Sequence, residues 1–414
     1  MPESVNSMSV IDFKEPQFLP TSNFKEGEKT NLIGLSFDQL KNEMVKIAEK
    51  PFKASQIWNW IYAFGVKDFD QMSNISKALR EKLKANYSLS RPEIVKDLIS
   101  KDGTRKWLIK FSDCREAEMV FIPEKERGTL CISSQIGCTL TCKFCHTGTQ
   151  LLVRNLSAGE IVAQFMLARD LLGDWPLTNS KANVDEFPSP LFRGESGRAN
   201  DSEHGARGVH KRKLTSMVFM GMGEPFFNYD EVKKSVAILN DSNGINFSKR
   251  KITISTSGVV PEIKRFSDEI KTVLAISLHA TDDETRSKIM PINKKYPLQT
   301  LMESLEYYVK QNPTGRITFE YVMLAGVNDS DAQAFQLVKM LKKHKIPALI
   351  NLIPFNPWQG NNFVCSSRNR MMAFGKIIQD SGYKVTIRKT KGQDVMAACG
   401  QLKSASQREK KSKS

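Results

Sequence analysis

Between residues 129 and 381 short apolar runs alternate with longer amphipathic ones, and this alternation narrows the fold more than any other feature. The short runs are TLCISS (129–134), TSMVFM (215–220), KITIS (251–255), TVLAISL (272–278), RITFEYV (316–322) and ALINLI (348–353). Apolar residues, many of them β-branched, crowd these runs, as strands covered on both faces require. Helical patterns lie between or after them at about 158–172, 229–240, 260–268, 298–311, 330–343 and 367–381. The first has a capping box, Ser157 with Glu160 three residues on. Six strand–helix units in a row predict parallel strands with right-handed crossovers. Six units suit a partial barrel better than a closed eightfold one.

The flanks read differently. Residues 1–30 are polar and mixed in charge, and predict a flexible N-terminal arm. From Ser36, Phe37, Leu40, Met44 and Ile47 recur at helical spacing; Ile57, Trp58, Ile61 and Tyr62 mark a second helix, and 77–86 a third. A small helical domain over 31–95 is expected, with Trp58 and Trp60 in its core. Residues 96–128 form a short β-strand linker, with candidates WLIKF (107–111) and EMVFI (118–122). The barrel is expected over 129–390. Within it, 174–212 are rich in Pro, Gly, Ser, Asn and Arg and predict a disordered surface insertion. Residues 391–414 comprise a loop carrying Cys399 and a basic tail from Lys403.

Charge narrows the partners. The chain carries 61 Lys plus Arg against 45 Asp plus Glu, a net +16. Such an excess favours an acidic partner, most often nucleic acid, although a basic proteome would produce it too. No apolar stretch approaches the length needed to span a bilayer, and the N-terminus does not read as a signal peptide. A cytoplasmic protein with no membrane partner is expected.

Of seven cysteines, three crowd into eight residues, Cys138-Thr-Leu-Thr-Cys142-Lys-Phe-Cys145. That crowding suits metal or redox chemistry in a reducing compartment better than a disulfide framework. Three thiolates on one tight loop can each hold one iron of a [4Fe–4S] cluster, leaving the fourth iron open. Zinc would need a fourth ligand, and His146 is poorly placed beside Cys145. Cys142-x-x-Cys145-His146 also spells a c-type haem site, which normally requires export.

Further motifs fall at strand ends. Gly221-Met222-Gly223-Glu224-Pro225 combines glycines that admit a close backbone approach with a carboxylate able to pair with an ammonium. Ser255-Thr256-Ser257-Gly258, Ser277-Leu278-His279-Ala280 and Asn351–Pro357 follow other strands. Singly each reads as a cap or turn. Recurring where parallel folds bind ligands, they point to one shared site. Cys131, Cys399, Cys114 and Cys365, taken alone, read as structural cysteines.

Together TLCISSQIGCTLTCKFC, GMGEP, STSG, SLHA, NLIPFNP and AACGQL resemble the RlmN family, radical S-adenosylmethionine (SAM) methyltransferases of ribosomal and transfer RNA adenosine. The resemblance runs from about residue 31 to 402, including EKPFKASQIWNWIY, with 174–212 as an insertion. It implies an α/β fold, a partial (β/α)6 TIM-type barrel with a small N-terminal helical accessory domain that binds RNA. It implies a [4Fe–4S] cluster on Cys138, Cys142 and Cys145, and two SAM molecules per turnover. Gly223, Glu224, Ser255, Ser277, Leu278, His279 and Asn356 resemble the SAM contacts. Cys399 resembles the cysteine that carries the methyl group, Cys131 the thiol that resolves it by a transient disulfide, and Glu118 the proton acceptor. The implied product is adenosine methylated at carbon 2, in 23S rRNA at the peptidyl-transferase centre and in tRNA 3′ of the anticodon. An electron donor such as flavodoxin and a monomeric state are also implied. A Cfr-like enzyme acting at carbon 8 of the rRNA adenosine is the alternative.

Overall fold

A computed structural model describes residues 29–125, 127–176, 213–313 and 315–404. Nearly all of the expected arm, residues 177–212 of the insertion and the tail beyond Ser404 lie outside the described residues.

One ten-stranded sheet organises the chain. Its strands are β1 (Glu93–Ile99), β2 (Arg105–Lys110), β3 (Glu116–Pro123), β4 (Gly128–Cys131), β5 (Ser216–Phe219), β6 (Ile252–Thr256), β7 (Val273–Ser277), β8 (Ile317–Met323), β9 (Ala348–Pro354) and β10 (Lys384–Ile387). Their spatial order is their sequence order, so every strand bonds to its neighbours in the chain. β1 to β4 form an antiparallel meander. From β4 onward every pairing is parallel. That half is the α/β partial barrel of six strand–helix units, closed off by β10 as a seventh parallel strand.

Burial explains why the strands were readable. Leu274, Ala275 and Ile276 of β7 are wholly buried in succession, as a central parallel strand flanked by helices must be. In register, Ile254 lies beside Leu274, Ile276 beside Phe319 and Phe319 beside Ile350. The two outermost strands were not foreseen, because edges need no apolar pattern: β1 exposes Val95, Leu98 and Ile99, and β10 is largely exposed.

Helices α1 (Phe37–Lys46), α2 (Lys53–Tyr62) and α3 (Lys77–Asn86) precede the sheet. Ser36 caps α1 in a reciprocal box with Gln39. Trp58 and Trp60 are buried, and the Trp58 indole Nε1 donates to Asp241 at 3.1 Å, joining these helices to the barrel. Crossover helices α4 (Ala158–Leu172), α5 (Tyr229–Asn240) and α6 (Val260–Glu269) follow, and α4 begins at the predicted Ser157–Glu160 box. A short helix, α7 (Asp283–Ile289), was not foreseen, since DETRSKI has too few apolar residues to show a period. Then come α8 (Leu298–Gln311), α9 (Asp331–Lys343) and α10 (Arg368–Asp380). Among the described residues no helix is long and apolar enough to cross a membrane.

Candidate active site and cluster loop

The carboxyl ends of the parallel strands converge on one site, as the fold dictates. β4 runs into the loop bearing the cysteines. That loop is pinned at its base by the pair Gln135–Ile136 with Arg154–Asn155. Gly137 turns it with φ +74°, and a Cβ there would lie 2.2 Å from the Leu151 carbonyl oxygen. Inside the loop the Cys145 amide donates to the Cys142 carbonyl at 3.2 Å, and the Gly148 amide to the Cys145 carbonyl at 3.1 Å. Such i to i+3 bonds keep Cys142 and Cys145 on one compact turn.

Cys138, Cys142 and Cys145 line one cavity with Gly221, Glu224 and Ser257. None forms a disulfide. Burial pushes the Cys142 thiol up to about 12, and the neighbouring Cys145 adds to it. Burial likewise raises Cys138, with Cys142 contributing, and Cys145. Crowded, buried thiols of this kind become thiolates only beside a positive partner. Among the described residues no three His, Cys, Asp or Glu side chains converge on a single-ion position. Three soft sulfur donors around one cavity fit a multi-iron cluster, one thiolate to each of three irons.

A second cavity opens directly from the first, sharing Phe144, Cys145, Gly223, Glu224, Ser257, Ser277 and His279 as wall. Ser255, Glu320, Asn356, Arg388 and Cys399 complete it. Of the residues singled out as SAM contacts, all but Leu278 line this space. Leu278 is wholly buried, and its carbonyl accepts from Arg286 Nε at 3.0 Å.

Glu224 is 2 % exposed. Its Oε1 accepts from the Phe226 amide at 3.1 Å and its Oε2 from the Ser257 amide at 2.8 Å. Burial raises its pKa, and those donors oppose the rise. The close approach needs Gly223, at φ +98°, where a Cβ would lie 2.5 Å from the Gln135 Cβ. His279 Nδ1 accepts from the Val322 amide at 2.9 Å, leaving the proton on Nε2. Burial, with Arg286 contributing, lowers its pKa to about 3, so the ring stays neutral at any ordinary pH.

Cys399 reaches the cavity from the far end of the chain. Its loop is held on every side. Asn356 Nδ2 donates to the Cys399 carbonyl at 3.2 Å, and the His146 amide to the Gly400 carbonyl at 2.7 Å. Gln401 closes the turn: its Oε1 accepts from the Ala398 amide and its Nε2 donates to the Pro357 carbonyl. A clasp secures the loop's entrance. Asp394 accepts from Ser100 Oγ at 2.6 Å and the Lys101 amide at 3.2 Å, while Asp102 accepts from the Gly392 amide at 3.0 Å. Cys131, at the end of β4, pairs with Val120 and Val218 in the sheet. Burial raises its thiol, with Cys399 contributing.

Glu118 is placed otherwise. Its carboxylate faces a separate, lysine-rich hollow with Lys96, Lys106, His146 and Lys403. Lys106 Nζ lies 2.8 Å from Oε1, and the Lys403 amide donates to Oε2 at 2.9 Å. Burial raises its pKa and Lys106 opposes the rise. Glu320 and Arg388 were missed altogether. Each is a single polar residue with no motif around it. Only the cavity shows that buried Glu320, which accepts from Asn351 Nδ2 at 2.9 Å, faces the same space as Cys399.

A partial barrel with a three-cysteine loop at its mouth and a GMGEP turn beside it defines a radical SAM enzyme. Comparison with known proteins agrees: residues 189–354 match the radical SAM superfamily, and residues 30–89 match the ribosomal RNA large subunit methyltransferase N-terminal domain. The chain is 50% identical over 389 residues to the dual-specificity RNA methyltransferase RlmN of Ruegeria pomeroyi, covering 93% of this chain and 92% of that one. It is 50% identical over 419 residues to that of Sinorhizobium fredii, covering 99% and 95%. A radical SAM methyltransferase from Sphaerobacter thermophilus superposes with a TM-score of 0.78 at 35% identity, covering 90% of this chain and 99% of that one. The chain belongs to the RlmN family of radical SAM RNA methyltransferases. Similarity of this extent does not favour the Cfr-like alternative.

Proposed function

We propose that this enzyme methylates carbon 2 of an adenosine in 23S rRNA and of the adenosine 3′ of the anticodon in tRNA, through a methyl group carried on Cys399. One observation carries the reading: Cys399 lines the same cavity as Cys145, Glu224 and Asn356, although 254 positions separate it from Cys145.

Cys138, Cys142 and Cys145 hold the [4Fe–4S] cluster in this reading, and Glu224, Ser255, Ser277, His279 and Asn356 receive SAM. The cluster, when bound, supplies the electron that cleaves SAM to a 5′-deoxyadenosyl radical. Carbon 2 of adenine is a poor nucleophile, so direct methyl transfer fails there and a radical route is required. Two SAM molecules would serve each turnover: one would give its methyl group to the Cys399 sulfur, and the 5′-deoxyadenosyl radical from the other would take a hydrogen from that methyl group. Once the methylene carbon is joined to adenine, carbon 2 must lose a proton and one electron; Glu118 takes the proton, and the cluster, when bound, would take back the electron. Its burial-raised pKa strengthens it as a base. For that step its Oε2 must exchange the Lys403 amide for substrate. Cys131 then closes a disulfide with Cys399 and frees the product, and a reducing cytoplasm restores both thiols.

The helical domain at 31–95 and the net +16 charge serve RNA binding in this scheme. The target adenine must leave its stack to enter the cavity. A flavodoxin-type donor supplies electrons, and the enzyme acts as a monomer. Mass spectrometry of RNA digests after turnover tests the chemistry: 2-methyladenosine is expected, and a methyl group on carbon 8 alone overturns the assignment. The Cys399 peptide should carry an added methyl group before RNA is supplied.

A further inference from the structure

Arg286, on α7, is 0 % exposed. Buried guanidinium groups normally face a carboxylate, because an unpaired interior charge is costly. This one does not. Its Nε donates to the Leu278 carbonyl at 3.0 Å and its NH1 to Asn293 Oδ1 at 2.9 Å. NH2 donates to the carbonyls of Ser257 at 2.8 Å and Ser277 at 3.1 Å. All four acceptors are neutral. Asp283, on the same helix, gives its Oδ1 to Asn293 Nδ2 and the Leu298 amide, both at 2.8 Å. The hydrogen bonds are thus satisfied without an ion pair, and Asp283 bears on the guanidinium only second to Cys142.

The stronger counter-charge lies toward the cluster loop. The same helix ends at Ile289, whose carbonyl accepts the Lys143 amide at 2.9 Å. Lys143 adjoins Cys142, so one hydrogen bond docks the cysteine loop on the helix that carries Arg286. As a thiolate, Cys142 bears more strongly on the guanidinium than Asp283 does. Ser257 and Ser277, whose carbonyls it grips, line the cluster cavity.

We infer that Arg286 is the built-in counter-charge of the iron–sulfur cluster and the tie that sets the spacing of the two strand ends beneath SAM. A [4Fe–4S] core on three thiolates is a net anion, and more so once reduced. A fixed buried cation beside it stabilises the reduced form and raises the reduction potential. The fork of donors does separate work, holding Ser257 of one strand end against Ser277 of the next.

The two roles divide between two substitutions. Arg286→Lys keeps the charge and loses the fork; Arg286→Gln loses both. Full-length protein, reconstituted anaerobically, is titrated with dithionite while reduction is followed by electron paramagnetic resonance, and SAM affinity is measured by equilibrium binding. The Gln variant should titrate at a clearly more negative potential, and the Lys variant close to wild type. Both should bind SAM about tenfold or more weakly, the usual cost of losing an outer-shell tie. An iron-loaded Gln variant with a wild-type potential overturns the charge role. Should the Gln variant not fold, the Lys variant decides: a wild-type potential with weakened SAM binding supports the inference, and a lowered potential overturns it. The inference rests on the cysteine assignment, which fails separately if wild-type protein retains no iron. It involves neither RNA nor Cys399, so it stands or falls apart from the methyl-cysteine route.

Discussion

The two loops that meet at the cavity are anchored differently. The cluster loop, Cys138 to Cys145, combines its own turn and a strand pair at its base with outside bonds at two adjacent residues, Lys143 to Ile289 and Asn361 and Phe144 to Trp358. The Cys399 loop bonds to the β1–β2 turn through Asp394, to the cluster loop through Gly400, and to the segment after β9 through Asn356 and Gln401. In the proposed scheme the first loop keeps a cofactor in place, and the second carries a sulfur that changes partners during one turnover.

That contrast can be broken experimentally. The largest effect should come from Cys142→Ala, which removes iron, SAM cleavage and RNA methylation together; iron and sulfide assays with a methylation assay read all three. Cys399→Ala should separate them, keeping iron and slow SAM cleavage while methylation falls to background. Normal methylation in that variant would end the loop-cysteine scheme. Cys131→Ala should leave a covalent protein–RNA species on denaturing gels. Normal turnover with no such species would return Cys131 to a structural role.

Smaller effects test how the Cys399 loop is held. Asp394→Ala removes the acceptor for Ser100 and Lys101, and should slow methylation about tenfold, the loss of roughly one charge-assisted bond. Asp394→Asn keeps an acceptor and should lose less, while iron content stays unchanged in both. Asp102 offers a pH test. Burial acts against its ionisation, but hydrogen bonds from Thr104, Gly392 and Ser100 prevail and hold its pKa at about 2, from an ordinary 3.8. A depressed carboxylate stabilises the fold above its unfolded pKa and loses that contribution as pH falls through the folded value. The stability advantage of wild type over Asp102→Asn, from denaturant unfolding, should be full above pH 3.8 and vanish toward pH 2. Smallest of all, Trp58→Phe deletes the indole bond to Asp241 and should cost about 1 kcal/mol in the same measurement.

Legibility followed the same division. The three crowded cysteines stood out because all lie within eight residues, so their spacing shows in the sequence without the rest of the fold. The six central strands could be read because burial on both faces forces an unbroken apolar run. β1 and β10 could not, because edge strands expose their side chains. Arg286 and Glu320 left no trace at all. Each is one polar residue in an otherwise ordinary segment, and their significance is a matter of what surrounds them. Glu118 was singled out by resemblance, yet its carboxylate sits with Lys106 and Lys403 in a neighbouring hollow rather than in the cavity of Cys399.

By itself the sequence determined the succession of strands and helices, the parallel order they impose, and a loop able to hold a cluster. These follow from hydrogen-bonding periods and side-chain patterns that act over a few residues. Only the tertiary structure decided that Cys399 shares a cavity with Cys145, and that a buried arginine outside any ion pair grips the Ser257 and Ser277 carbonyls at the edge of the cysteine cavity. Such meetings depend on how the whole barrel packs. No short-range pattern records them, because the residues that meet share no segment of chain.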